Sequence, residues 1–264
     1  MTTVLSLLLW LSCGVEPEEP LFLNYHGYEY PVITEPSEIQ VSDSIAALYR
    51  EDAARLAVRI MLDVGGEAAD EVEVPRDLWD ALYNTILHFH DATELAARDT
   101  VVEMFPIHTF PSPVLRELIV SVDSTTWWLQ AWKSGQRLTG NSLIDALLDQ
   151  YDLSLESYYA WSHSRSHIVV LAAGRPLNIV ALTRRFSIVD GVGYAEPNGM
   201  CCDGSDLTIQ AENGHWRLEY SLGWGDCPSG CINRRYWTFS VSRDGTVAFT
   251  DSWGDTLPVN GFFD

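Results

Sequence analysis

Lysine is almost absent: Lys133 is the only one, and the other cationic side chains are arginines. Asp and Glu number 37 against 16 for Lys and Arg, so the formal charge is −21. A surface of that sign repels phosphate backbones, which argues against nucleic acid as a partner. Such a balance also suits high-salt surroundings, and scarce lysine with abundant arginine is equally the mark of a GC-rich genome. No run is long and apolar enough to cross a bilayer, which takes about 20 residues. There is no Gly-x-Ser-x-Gly elbow, no phosphate-binding loop and no metalloprotease helix motif. Internal repeats are lacking too. No catalytic constellation stands out, and no residue pattern asks for a cofactor.

What is present is a well-filled chain. Of its 264 residues 47% are hydrophobic and 11% aromatic, ten of them Trp, enough for one large core or two smaller ones. Met1 to Ser12 carries no charge, and Val4 to Leu11 is apolar apart from Ser6. That is the length of a signal-peptide apolar region. Ser12-Cys13-Gly14 follows, then the acidic, Pro-rich Glu16-Pro17-Glu18-Glu19-Pro20. The segment resembles a bacterial lipoprotein signal, which implies lipidation of Cys13; Trp10 and the lack of a preceding cation depart from that pattern. A plain cleaved signal and a buried N-terminal segment with an incidental Cys are the alternatives.

The organisation predicted from here on is α+β: a signal segment over 1–13, a tether over 14–42, a helical region over 43–110, an α/β unit over 111–199 and a Cys-containing β-meander over 200–264. Asp43 reads as the N-cap of a first helix that Gly65-Gly66 ends. Pro75 opens a second, with Leu78, Trp79, Leu82, Tyr83 and Ile86 on its apolar side, and a further short helix falls within Asp91 to Val102. Strand patterns then cover Leu118 to Val122, Leu153 to Trp161, His167 to Ala172 and Val192 to Ala195. Helical spacing separates them at Leu143, Ile144, Leu147 and Leu148 (capped by Asn141) and again over Leu177 to Phe186. The order β-α-β-β-α-β is the ferredoxin-like pattern, an antiparallel sheet with helices on one face. Its ending, Gly191-Val192-Gly193-Tyr194-Ala195-Glu196-Pro197-Asn198, is similar to the last strand of subtilisin-type propeptide modules. Beyond it, Asn213-Gly214 and Asp244-Gly245 mark two hairpins of a meander. The two β parts are compatible with one continuous module.

Apart from Cys13, the cysteines are Cys201, Cys202, Cys227 and Cys231. An even number in an exported chain reads first as disulfides, with three pairings open, and a structural zinc site is the other chemistry they fit. Cys227-Pro-Ser-Gly-Cys231 spans a tight turn, so a local staple is expected; three intervening residues in a β connection do not suit a redox pair. Cys201 and Cys202 are a possible second thiol pair. Gly223-Trp224-Gly225-Asp226-Cys227-Pro228-Ser229-Gly230-Cys231-Ile232 with Tyr236-Trp237-Thr238-Phe239 resembles the C-terminal part of a group of uncharacterised exported bacterial proteins, which implies compartment and fold but no chemistry.

Asp203 and Asp206 on a turn, with Asp226 and Asp251 as possible neighbours, are weighed as calcium ligands, but Asp serves turns in its own right and no spaced calcium loop is present. His88 with His90 and His163 with His167 lack metal-site spacing, so no metal is expected. Trp127, Trp128 and Trp132 are expected to anchor a core or a seam. The reading that follows is a non-catalytic binding protein, its partner a protein or a polysaccharide at the cell surface, touching the membrane only through the lipid anchor. A hydrolase working with carboxylates is the alternative. A protease inhibitor or chaperone, by analogy with propeptide modules, is opposed by the long β stretch that follows the last α/β strand.

Overall fold

A β-hairpin stands inside the segment expected to be a tether. The computed structural model describes residues 22–34, 39–160, 165–199 and 202–257; the signal segment with Cys13, most of the tether, and also Cys201 and His163 lie outside the described residues. Strands β1 (Phe22–Tyr25) and β2 (Tyr28–Pro31) pair antiparallel across His26 and Gly27, both at positive φ (48° and 86°), the two-residue turn that suits strand twist. The scattered aromatics explain it: Tyr25 and Tyr30 are buried, and Tyr30 stacks on Trp216 at 5.8 Å.

Helix α1 (Asp43–Val64) begins at Ser42, not Asp43: the Ser42 hydroxyl accepts from the Ile45 amide, and Asp43 is the first helical residue, where its charge suits the helix dipole. Gly65, at φ 73°, ends it and donates to the Met61 carbonyl. After the short α2 (Gly66–Asp70), α3 (Arg76–Asp91) runs back along α1, whose fully buried Ala53, Ala54 and Ala57 permit close approach. The further helix is shorter than its pattern, α4 (Ala96–Asp99), and continues as a π turn over Thr100–Met104 that buries Val101 and leaves Glu103 2.8 Å from Arg98.

The α/β unit follows its predicted order. Its elements are β3 (Glu117–Asp123), α5 (Leu129–Lys133), α6 (Ser142–Gln150), β4 (Leu153–Ala160), β5 (Ser166–Ala173), α7 (Ile179–Ser187) and β6 (Val192–Pro197). The sheet order is β4-β5-β3-β6 with every pair antiparallel, the ferredoxin-like arrangement. Asn141 caps α6 by accepting from the Leu143 and Ile144 amides. Trp128 and Trp132 are buried in this unit's core, and the Trp132 indole donates to the Arg137 carbonyl at 2.9 Å; Trp127 is 69% exposed and anchors nothing.

The meander consists of β7 (Asp206–Glu212), β8 (His215–Trp224), β9 (Asn233–Val241) and β10 (Val247–Gly254) in chain order. The two β parts are therefore two sheets, not one module. Helices and meander share a core in which Leu56, Met61, Leu82, Ile86 and Phe89 meet Trp216, Leu218, Tyr220 and Phe239. The α/β unit has its own core. It leaves and rejoins the rest of the chain at one place, where the Asn198 amide donates to the Glu117 carbonyl at 3.0 Å.

Phe89 sits between Tyr220 (4.8 Å, stacked) and Phe239 (4.7 Å, edge-on) and is 1% exposed. Phe89→Ala should cost about 3–5 kcal/mol in urea denaturation, since it removes ring burial and leaves a cavity. Leu143→Ala, at a side chain 61% exposed, should stay within about 0.5 kcal/mol.

Candidate functional site

A cleft of about 510 Å³ lies where the first hairpin meets the residues after α2 and the end of α6. Asn24, Tyr25, His26, Glu71, Val72, Glu73, Pro75 and Tyr151 line it. The hairpin turn aims Tyr25 and His26 at one carboxylate: the Tyr25 hydroxyl donates to Glu71 Oε2 at 2.9 Å, and His26 Nε2 lies 2.9 Å from Glu71 Oε1. Burial, then the bond to Glu71 and its charge, hold the Tyr25 phenol far above its ordinary range, so it remains a donor. Burial also raises Tyr151. Glu73 is paired with both terminal nitrogens of Arg175.

The segment bearing Glu71 and Glu73 is fixed from the α/β side. Asn178, fully buried, caps α7 by accepting from the Ala181 amide, and its side-chain nitrogen donates to the Ala69 and Glu71 carbonyls at 3.3 and 3.0 Å. Its own amide donates to the Val72 carbonyl at 2.9 Å, and Glu73 bridges Leu177. Arg184 joins Asp70 alongside. The cleft is a preorganised set of donors and acceptors that hold one another in place.

A second polar cluster runs down one side of α1. Asp52, 3% exposed, accepts from the Thr109 amide (2.9 Å) and hydroxyl (2.7 Å), and its other oxygen is 2.6 Å from His108 Nδ1. Arg55 reaches Thr109 Oγ1 at 2.7 Å and the Pro113 carbonyl at 3.2 Å. Tyr49 meets His90 Nδ1 at 2.7 Å and stands beside the His108 ring. The bond from Asp52 raises the His108 pKa against the opposing effect of burial. Burial and the Arg98 charge lower that of His90. None of this was read from the sequence: Asp52 and His108 are 56 residues apart, and no local spacing connects them.

The expected site residues divide. Cys227 and Cys231 stand at disulfide-bonding distance around a 3₁₀ turn over Cys227–Ser229. Asp203 joins that loop: its amide donates to the Cys227 carbonyl (3.2 Å), and Oδ2 accepts from the Cys231 amide (3.1 Å). Cys202, exposed, precedes it at φ 107°. Asp203 and Asp206 do not converge. Arg234 holds Asp203 and lowers its pKa, whereas Asp206 takes Arg59 (3.0 Å) and the Phe110 amide (2.6 Å) and is raised by burial. Asp251 lies opposite Thr238 on β10, and Asp226 leads the 3₁₀ turn. Among the described residues no group of three His, Cys, Asp or Glu side chains is placed to hold a metal ion. His88 faces Gly245, and His167 meets the Tyr158 hydroxyl. No protein-family model matches the chain, and no curated protein matches its sequence.

Two measurements follow. A raised imidazole pKa means that the folded state holds the proton more tightly than the unfolded chain. The His108 contribution is then complete below the unfolded value of about 6.5 and lost as pH rises through the folded one. The urea midpoint of the wild type should fall over that interval, and His108→Asn should remove the fall. Separately, a thiol reagent added to unreduced, denatured protein should leave Cys227 and Cys231 unlabelled.

Proposed function

We propose that the chain is an exported, lipid-anchored protein of the bacterial cell surface that binds a partner without catalysis. The hairpin cleft carries this reading. Its polar groups are fixed by mutual hydrogen bonds on two sides of a seam, as suits recognition by a largely preformed site. The apolar run ending at Ser12-Cys13-Gly14 supports the anchor, and a cysteine pair at bonding distance supports an oxidising compartment. The resemblance of the Gly223 to Ile232 motif to exported bacterial proteins agrees with both. The partner is a protein or a polysaccharide of the cell surface.

One observation favours a second reading. His108 is held by Asp52 through Nδ1 while its side chain remains 32% exposed, the orientation a general base needs. A hydrolase would use that pair.

The test separates the two. A partner captured from the envelope fraction should bind His26→Ala and Glu71→Gln proteins about tenfold or more weakly, the scale of a lost charged hydrogen bond. A broad hydrolase screen should be silent. Turnover that His108→Ala removes and Glu71→Gln spares would overturn the binding reading. Detergent-phase partitioning that Cys13→Ser leaves unchanged would remove the anchor.

A further inference from the structure

The Tyr236-Trp237-Thr238-Phe239 run is divided by the pleat of β9. Trp237 and Phe239 enter the shared core, while Tyr236 and Thr238 belong to the outer face of the meander. On the neighbouring strand β10, Phe249 stands opposite Phe239 and so follows the inner face. Simple alternation would send Asp251 and Trp253 inward as well. A bulge between Phe249 and Asp251 intervenes: one extra residue, Thr250, shifts the register so that Asp251 faces Thr238 and Trp253 faces Tyr236. Bulges of this kind re-aim side chains at sheet edges. Gly254 then holds the strand close; a Cβ there would lie 2.3 Å from the Arg234 carbonyl oxygen.

The result is an aromatic surface at the sheet's edge. The Trp253 and Tyr236 rings are stacked, 5.1 Å apart and 9° from parallel, and Trp253 remains 39% exposed. β10 is an edge strand of its sheet, so among the described residues no neighbouring strand covers the indole face turned away from Tyr236. In the adjacent row across the sheet stand Glu219, Thr238 and Asp251. Glu219 is bonded to Arg217 at 2.8 Å, and Asp251 is exposed. Thr238 is 3% exposed, and its hydroxyl has no hydrogen-bond partner among the described residues. A buried hydroxyl without a partner costs stability.

We infer that this edge binds a neutral polysaccharide. A flat indole with one open face offers an apolar platform to the C–H side of a sugar ring. The carboxylates of Asp251 and Glu219 accept hydroxyl hydrogens. The same carboxylates, on a chain of charge −21, disfavour anionic polymers. This surface is separate from the hairpin cleft, so either can fail without the other.

Native affinity electrophoresis of the full chain in gels containing soluble β-glucan, mannan or dextran, with polygalacturonate as anionic control, tests the inference. At least one neutral polymer should retard the wild type and polygalacturonate should not. Trp253→Ala, and separately deletion of Thr250, should weaken that binding by about threefold to tenfold, the scale of one lost aromatic contact. Phe249→Ala, an exposed aromatic on the opposite face, and Glu71→Gln in the cleft should leave it unchanged. Thermal melts establish that each variant is folded. Absence of retardation by all three neutral polymers overturns the inference. So does retardation that Trp253→Ala retains, and if Glu71→Gln alone abolishes it, the polymer belongs to the cleft.

Discussion

The buried amide of Asn178 is the interaction on which the relation between the two halves depends. One side chain caps α7 and donates to two carbonyls at the end of α2, those of Ala69 and Glu71. Without it the Glu71 carbonyl would lose its donor, at a cost of about 1–3 kcal/mol, whereas the Ala69 carbonyl would keep Arg184, 3.3 Å away. Because the same short segment carries Glu71 and Glu73, the bond that joins the halves also fixes the walls of the cleft. Packing and recognition are specified by one group.

Arginine does similar work elsewhere, which gives the near absence of lysine a structural sense. Arg59 bonds Asp206 and the Phe110, Ser112 and Leu207 carbonyls, tying α1 to the meander. Arg234 spans Asp203, the Gly204 carbonyl and Ser221; Arg137 spans Asp149 and two carbonyls at the end of α6 and the start of β4. A planar fork with five donors can satisfy several fixed acceptors at once, whereas an ammonium offers a point charge. In a chain so rich in carboxylates, these cations are committed internally, and the surface remains acidic.

What the sequence discloses follows the distance over which each feature is encoded. The α/β order, the Asn213-Gly214 and Asp244-Gly245 turns and the Cys227–Cys231 approach rest on neighbours a few residues apart, and were legible. The hairpin at Phe22–Pro31 was missed because its strands are short and its aromatics find their partners far along the chain, Tyr30 at Trp216 for one. Asp203 and Asp206 look like a pair on a turn, yet distant arginines draw them into different networks. Neither the Asp52–His108 contact nor the cleft has a local signature. The outward turn of Trp253 depends on one extra residue, and strand alternation alone gives the opposite face.

The ferredoxin-like unit enters and leaves through adjacent positions on the same strand pair, near Glu117 and Asn198. In topological terms it is a guest in a host whose own sequence is discontinuous. A chain that emerges from its N-terminus therefore completes the guest first. Meanwhile α1 and α3 present Leu56, Leu82 and Phe89 to a sheet that does not yet exist. The host's core closes only when β8 and β9 arrive, by contacts of long sequence separation, which are slow to form and leave apolar surface open in the interval. The helical region is thus the part of the molecule with the longest wait before its hydrophobic face is covered, and the part for which a holding chaperone would matter most.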